Sequence, residues 1–314
     1  MYSDYFGFSE APFSIAPDPR YLFMSEKHRE ALAHLLYGVG DQGGFIVLTG
    51  EVGTGKTTIC RCLLQQIPEN TDVAFIINPR QNINQLLQST FAELGLPYQK
   101  GSNSKELIDQ FNHYLLQVHA KGRNTILIID EAQNLPKEVL EQLRLLTNLE
   151  TNEKKLLQLL LIGQPELSDL LNLPELRQLS QRVTARYHLN PLSKNEIHQY
   201  IDHRLAVAGV KRPLFTHRAV QTIFKFSRGV PRLVNLISDR SLLGVYSENA
   251  LQVTPKQVRK AVKEVFGSHQ QSRGSQLLYW SLLTACIAGL IIAGVTTDWF
   301  TTATQGLPFI GSNQ

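Results

Sequence analysis

The sequence Gly50-Glu51-Val52-Gly53-Thr54-Gly55-Lys56-Thr57 lies between an apolar run, residues 45–49, and a predicted helix. Its three glycines allow the backbone to curl so that successive N–H groups face one anion. The following helix would present its positive N-terminal end to the same anion. The pattern therefore predicts a phosphate-binding loop that contacts a nucleotide from Gly50 through Thr57 and the next residue, Thr58.

Two side chains at the end of this loop suit a nucleotide bound with magnesium. Lys56 is expected to meet the β- and γ-phosphates, and the hydroxyl of Thr57 is expected to help hold Mg²⁺. The alternative is a glycine-rich turn without a ligand. A preceding strand, a following helix and an acidic pair about seventy residues later favour the nucleotide site.

The acidic pair is Asp130-Glu131, which ends the apolar run 125–129. A nucleotide site of this kind needs an acidic group beside the phosphate loop, and carboxylates at the tip of a buried strand would lie there. Asp130 is predicted to bind Mg²⁺ directly or through water, and Glu131 to polarise the water that attacks the γ-phosphate.

Further polar residues follow the next two predicted strands. Gln164, after the strand 156–162, could orient the same water, although it could also be a turn residue in Gly163-Gln164-Pro165. Arg177, Arg182 and Arg186 lie around the last strand. One of them could reach the γ-phosphate of a neighbouring subunit, where negative charge develops in the transition state. Each arginine alone is more often an ordinary surface residue.

Arg232 is unusual because it lies in the first turn of a predicted helix, within Gly229-Val230-Pro231-Arg232. A cation at this position opposes the helix dipole, so a compensating anion is expected. A phosphate arriving from the other domain would supply that anion.

Alternating strands and helices up to about Asn190 predict an α/β fold, with a parallel sheet covered by helices on both faces and the nucleotide at the carboxyl ends of its strands. After Asn190 the pattern contains helices alone. We predict an α/β domain with an N-terminal strap over 1–190, a helical lid over 191–267 and a polar linker over 268–276. Predicted strands cover 45–49, 73–77, 125–129 and 156–162; predicted helices cover 25–37, 82–94, 104–119 and 137–149, and further helices begin near 193, 216, 231 and 254.

The N-terminal strap alternates aromatic residues with prolines, from Tyr5-Phe6-Gly7-Phe8 to Pro17-Asp18-Pro19-Arg20. This pattern predicts an extended segment rather than a helix or a sheet strand. Such a segment could serve as a structural strap or could cover the base of the nucleotide. Ser25 is predicted to cap the helix that follows.

The excess positive charge lies near the C-terminus. Residues 256–276 contain five lysines or arginines and one glutamate, which accounts for the net charge of +4 of the whole chain. The remaining body is neutral and argues against DNA binding, because phosphate neutralisation needs clustered lysine and arginine. The three cysteines show no spacing typical of a disulfide framework or a zinc site.

Residues 277–295 carry no charge and are long enough to cross a bilayer. We predict a transmembrane helix over 277–297, the alternative being a buried core helix. Aromatic residues flank it, and the basic segment precedes it. By the positive-inside rule the large N-terminal part lies in the cytoplasm and the tail 298–314 on the other side.

The chain resembles the AAA+ ATPases in the order of its motifs, with a helical domain last. These motifs are the phosphate loop, Asp130-Glu131, Gln164, Arg182 and the segment ending at Arg232. Four further segments resemble the inner-membrane ATPases that assist type II secretion assembly, and the related ATPases of mannose-sensitive haemagglutinin pilus biogenesis; these are Phe6-Gly7-Phe8, Pro12-Phe13, Pro17-Asp18-Pro19-Arg20 and Gly163-Gln164-Pro165-Glu166-Leu167.

The resemblance implies five parallel strands, a helical lid, and ATP with Mg²⁺ as ligands. It also implies that Arg182 is an arginine finger, that Arg232 is a second sensor, and that the chain forms nucleotide-dependent homo-oligomers. It further implies residence in a bacterial inner membrane, with a single span, and a partner in the inner membrane and periplasm. The implied activity is ATP hydrolysis that assists assembly of a type II secretion or type IV-like pilus machine.

The secretion ATPases continue into a periplasmic part that binds peptidoglycan, whereas this sequence stops after the tail 298–314. We therefore expect either a shorter relative that works through a partner or a truncated form, and peptidoglycan binding is not carried over. The competing hypothesis is a regulatory module in which ATP is a switch, as in related ATPases that act with transposition or replication proteins on DNA.

Overall fold

The computed structural model describes residues 2–16, 18–40, 44–77, 79–99, 101–147 and 155–267. Residues up to Ala261 belong to one compact unit, and a second begins at Val262. The predicted linker, transmembrane helix and tail lie outside the described residues. Among the helices that are described, none has the length and apolar character needed to span a membrane.

A five-stranded parallel sheet forms the centre of the first unit. Its strands are β1 (Gly44–Gly50), β2 (Thr71–Ile76), β3 (Asn124–Ile129), β4 (Leu157–Gly163) and β5 (Val183–Leu189). They are ordered β2-β3-β4-β1-β5, and every pair is parallel. Every residue of β1 and β4 is buried, as expected for central strands covered on both faces. The predicted α/β fold is therefore confirmed.

Helices cover both faces of this sheet. They are α2 (Glu26–Gly40), α3 (Lys56–Leu64), α4 (Ile83–Glu93), α5 (Ser104–Ala120), α6 (Lys137–Leu146), α7 (Pro165–Leu171) and α8 (Arg177–Ser180), whereas α1 (Tyr2–Phe6) packs against a later helix. Alternate residues of β1 point to opposite faces. Phe45 and Val47 pack in a core with residues of α4 to α8, whereas Ile46 and Leu48 pack in a second core with residues of α2 and α3.

After β5 the described residues contain helices, as predicted. They are α9 (Glu196–Val207), α10 (His217–Ser227), α11 (Pro231–Ser247) and α12 (Pro255–Phe266). The Thr216 side chain caps α10 by accepting a hydrogen bond from the amide of Ala219, as the sequence indicates. At α9, the Ser193 hydroxyl and the Glu196 carboxylate make the reciprocal hydrogen bonds of the predicted capping box.

Three local predictions are wrong. Asn103, not Ser104, caps α5, because its side chain accepts from the amide of Glu106 at 3.0 Å and the carboxylate of Glu106 accepts from the amide of Asn103. Helix α6 stops at Leu146, three residues before its predicted end. The N-terminal segment is not wholly extended, because α1 buries Phe6 and its neighbour Tyr5 packs edge-on against Tyr246 of α11.

Beyond α1, residues 7–16 run across the lid helices rather than the sheet. The amide of Ser9 donates to the carbonyl of Ala208 at the end of α9. The guanidinium of Arg204, also in α9, donates to the carbonyls of Pro12 and Ser14. The N-terminal segment is thus bound to the helical part of the unit.

Candidate nucleotide-binding and hydrolysis site

The phosphate loop connects β1 to α3 at the carboxyl edge of the sheet. Gly55 caps α3 with φ at 105°, a left-handed conformation that glycine adopts without steric cost. The ammonium of Lys56 is buried against the loop, donating to the carbonyls of Gly50 at 2.8 Å and Glu51 at 3.0 Å. Burial lowers the pKa of this ammonium. A phosphate would stabilise its charged form.

Asp130 follows β3 and lies directly beside the start of α3. The hydroxyl of Thr57 donates to its Oδ2 at 3.0 Å, and the amide of Glu131 donates to its Oδ1 at 2.9 Å. The side chain is 4% exposed, and this burial raises the pKa of the carboxyl group. A carboxylate and a hydroxyl oxygen side by side fit a hard cation such as Mg²⁺, so these two predicted magnesium ligands are brought together.

Glu131 lies in a left-handed conformation, with φ at 56°. Such a conformation is uncommon for a residue with a side chain and concentrates at functional sites. Its Oε2 accepts a hydrogen bond from Nε2 of Gln164 at 3.1 Å and another from Nε2 of Gln133. The predicted pair of Glu131 and Gln164 is therefore in contact, and Gln133 joins it.

Arg232 lies in the first turn of α11, close to the tip of the loop. Its amide donates to the carbonyl of Gly53 at 3.3 Å. A Cβ atom at Gly53 would lie 2.5 Å from the Cβ of Arg232, so no larger residue fits there without a shift. The lid thus approaches the loop where the sequence predicts a phosphate partner for Arg232.

A cavity of about 330 Å³ extends from the loop to the lid and the N-terminal segment. Its lining includes Gly53 to Thr58, Glu131 and Arg232 among the predicted residues. Asp130 and Gln164 lie behind this lining, in contact with Thr57 and Glu131 respectively. Its volume lies in the usual range for small-molecule sites.

The wall of the cavity opposite the loop was not predicted from the sequence. Arg204 lies there, 6% exposed, with its guanidinium 4.6 Å from the ring centroid of Tyr21. It also donates to the hydroxyl of Tyr200 at 3.0 Å, which donates in turn to Asn235 at 2.8 Å. These residues come from the N-terminal segment, α9 and α11, and nothing in the local sequence shows that they meet.

The position of His28 beside the phosphate loop was not predicted from the sequence. It lies on α2, 4% exposed, and its ring bridges the hydroxyl of Ser25 at 2.6 Å and the carbonyl of Thr54 at 3.3 Å. Burial lowers the pKa of this imidazole. A neutral ring that accepts from Ser25 and donates to Thr54 would fix the backbone of the phosphate loop.

The three candidates for the arginine finger lie away from the phosphate loop. The carbonyl of Arg182 accepts from the amide of Phe45 at the amino end of β1, opposite the phosphate loop. Its guanidinium donates to the carbonyl of Arg144 at 3.1 Å. Arg186 donates to Ser180, and Arg177 is exposed on α8. None of the three lies at the phosphate loop of its own chain.

Known proteins resemble this chain in sequence. Residues 39–171 match the family of AAA domains. General secretion pathway protein A of Aeromonas hydrophila is 50% identical over 300 residues, which cover 96% of this chain and 54% of that protein. The chain therefore spans about half the length of the curated relative that it matches.

Solved structures share the fold. Cdc6p from Pyrobaculum aerophilum has a TM-score of 0.65 at 20% identity, over 81% of this chain and 70% of that one. A chain of the Drosophila ORC bound to DNA has a TM-score of 0.62 at 18% identity, over 96% of this chain and 78% of that one. At such identities the likeness shows the fold alone.

The phosphate loop, the buried acidic pair and the sheet order thus occur in a chain whose residues 39–171 match the family of AAA domains, and 96% of this chain resembles about half of general secretion pathway protein A.

Proposed function

We propose that this chain is a membrane-anchored, Mg²⁺-dependent ATPase that assists assembly of a type II secretion or type IV-like pilus machine. The observation that carries the proposal is that Lys56, Thr57 and Glu131 line one cavity, with Asp130 hydrogen-bonded to Thr57 behind it, in a chain that is 50% identical to general secretion pathway protein A.

The site residues divide the work of ATP hydrolysis. Lys56 would leave the carbonyls of Gly50 and Glu51 and bind the β- and γ-phosphates. Thr57 and Asp130 would hold Mg²⁺, which when bound neutralises the charge that develops on the phosphates. Glu131 would accept the proton of the attacking water, while Arg232 would contact the γ-phosphate from the lid.

Several parts of the proposal rest on the sequence. The uncharged stretch within 277–297 is proposed as a single span of a bacterial inner membrane, with the ATPase in the cytoplasm and the tail 298–314 in the periplasm. The proposed partners are further copies of this chain and an assembly protein of the inner membrane and periplasm. Oligomerisation would place Arg182 of one subunit near the nucleotide of the next.

The experiment replaces the native gene by the Lys56→Ala allele and measures protein secretion, surface pili and the membrane fraction that contains the chain. We expect the variant to remain in the membrane fraction and to abolish either protein secretion or surface pili. The process that is lost shows which of the two machines the chain assists. Normal secretion and normal pili in cells that carry the variant would reject the assembly role.

A DNA-dependent switch is the rival, and the DNA-bound ORC structure with the same fold motivates its test. The purified chain is assayed for ATP turnover with and without duplex DNA at physiological salt. Our proposal expects equal rates. A chain recovered from the soluble fraction, with turnover stimulated by DNA, would favour the rival.

A further inference from the structure

Three residues, Glu131, Gln133 and Gln164, form a closed ring of hydrogen bonds next to the cavity. Gln133 donates from Nε2 to Oε2 of Glu131, and Gln164 donates from Nε2 to the same oxygen at 3.1 Å. The amide N–H of Gln164 closes the ring by donating to Oε1 of Gln133 at 3.1 Å. Each member of the ring therefore fixes the orientation of the next.

The direction of the Gln133 amide follows from its partners. A backbone N–H is always a donor, so the atom of Gln133 that faces Gln164 must be the carbonyl oxygen. The NH₂ group must then face the carboxylate of Glu131. An ionised carboxylate is an acceptor alone, so both ends of Gln133 are satisfied in this orientation and in no other.

The backbone around the ring leaves room for this contact. A Cβ atom at Gly163 would lie 2.7 Å from Oε1 of Gln133, so a larger residue would displace the glutamine. Glu131 itself is held in the left-handed conformation that is unfavourable for a residue with a side chain. Such a conformation persists where surrounding contacts over-determine it, and the ring supplies those contacts.

The two oxygens of Glu131 consequently have different surroundings. Oε2 is occupied by two amide donors. In the described part of the chain, Oε1 has no hydrogen-bond donor, and the residue lines the cavity. Oε1 is thus the oxygen placed to accept a proton from water.

We propose that Gln133 is a positioning residue for ATP hydrolysis, which acts by holding Oε2 of Glu131 so that Oε1 faces the attacking water. This role rests on the proposed ATPase function. Among the described residues, the hydrogen bonds of the Gln133 side chain go to Glu131 and Gln164 and none goes to the phosphate loop, so its loss affects the chemical step rather than nucleotide binding. Misplacement of a catalytic group by about 1 Å can cost about a hundredfold in rate.

The test compares the full-length wild type with the full-length Gln133→Met variant. Methionine keeps the length of the side chain and removes both hydrogen bonds of Gln133. ATP affinity and single-turnover hydrolysis are measured with saturating Mg²⁺. We expect the hydrolysis rate to fall about 10- to 100-fold with ATP affinity changed less than twofold. The matched control is Gln66→Met, at an exposed glutamine after α3, which should keep both values.

A double-mutant cycle separates positioning from general damage. If Gln133 acts through Glu131, Gln133→Met causes no further loss in a Glu131→Gln background. Gln133→Asn, which is one methylene shorter and cannot span the ring, serves as a second variant if Gln133→Met does not fold. An unchanged rate in the folded variant, or equal fold losses in both backgrounds, overturns the proposal. A wild type without ATP turnover would instead reject the ATPase function itself.

Discussion

Asp130 is almost fully buried and lies beside a second carboxylate, Glu131. Its two hydrogen bonds, from Thr57 and from the amide of Glu131, favour the charged form, yet burial outweighs them and raises the pKa. A magnesium ligand must be ionised, so the site keeps a carboxylate where the fold alone would prefer a neutral group. The ionised carboxylate that magnesium binding requires at this residue therefore lowers the stability of the folded chain.

The first prediction follows from this loss of stability. Asp130→Asn should raise the melting temperature of the nucleotide-free chain at pH 7.5 and abolish Mg²⁺-dependent turnover, because it removes a buried charge and a metal ligand together. Because the pKa of Asp130 is raised by folding, its charge destabilises the chain above that pKa, and this cost disappears as the pH falls through it.

The difference in melting temperature between variant and wild type should accordingly shrink toward acid pH. Calorimetry over a pH series checks this, with Asp109→Asn at an exposed position of α5 as the control. A variant less stable than the wild type at neutral pH would contradict the assigned cause of the raised pKa.

Among the elements, the N-terminal segment and α9 act as one wall of the cavity. Arg204 joins them through the carbonyls of Pro12 and Ser14, and its guanidinium packs on the ring of Tyr21. The segment is therefore a structural strap on the lid, and it also lines the cavity of the proposed nucleotide site. Its contact with the base of the nucleotide stays a prediction.

The second prediction concerns the contacts of Arg204 with the N-terminal segment. Arg204→Met keeps the apolar length of the side chain but leaves two carbonyls without their charged donor, so the free energy of unfolding should fall by about 3 kcal/mol. Trypsin should cleave the N-terminal segment faster, and ATP affinity should fall about tenfold because the wall loosens. Arg218→Met, on the exposed side of α10, should change none of these values. Unaltered proteolysis and affinity in Arg204→Met would refute the coupling.

An element could be predicted from the sequence where interactions between residues close together in the chain determine it. The apolar run before Asp130 and the glycine spacing of the loop are local, so strand β3, the loop and helix α3 could be predicted. Neighbouring residues Asn103 and Ser104 both suit a helix cap, and the backbone conformation of the folded chain decides between them.

Contacts distant in sequence could not be predicted. His28 meets the carbonyl of Thr54 across 26 positions, and Arg204 meets Pro12 across 192. Neither residue belongs to a local pattern, because a lone histidine or arginine on a helix is compatible with many surroundings. Gln133 lies two positions after Glu131, but its role depends on the approach of Gln164 from the next strand of the sheet.

For the whole molecule, the sheet itself separates the candidate finger from the nucleotide. Arg182 lies at the amino end of β1 and Gly50 at its carboxyl end, a separation of roughly 17 Å at the usual rise of a strand. An arginine side chain does not span that distance. Any contribution of Arg182 to hydrolysis must therefore be made in a neighbouring subunit.

The third prediction tests this arrangement by mixing subunits. Arg182→Ala and Lys56→Ala chains should each be inactive, whereas an equal mixture should recover about a quarter of the wild-type rate, since one interface in four combines an intact loop with an intact finger. Arg177→Ala and Arg186→Ala in place of Arg182→Ala show which arginine acts. A mixture no more active than its separate components would exclude action between subunits.

ATP binding and turnover by three purified chains test the central claim most directly. Wild type should bind and hydrolyse ATP in the presence of Mg²⁺, Lys56→Ala should lose binding, and Glu131→Gln should bind normally while hydrolysis falls at least a hundredfold. Equal ATP affinity in wild type and Lys56→Ala, or undiminished turnover in Glu131→Gln, would contradict the account.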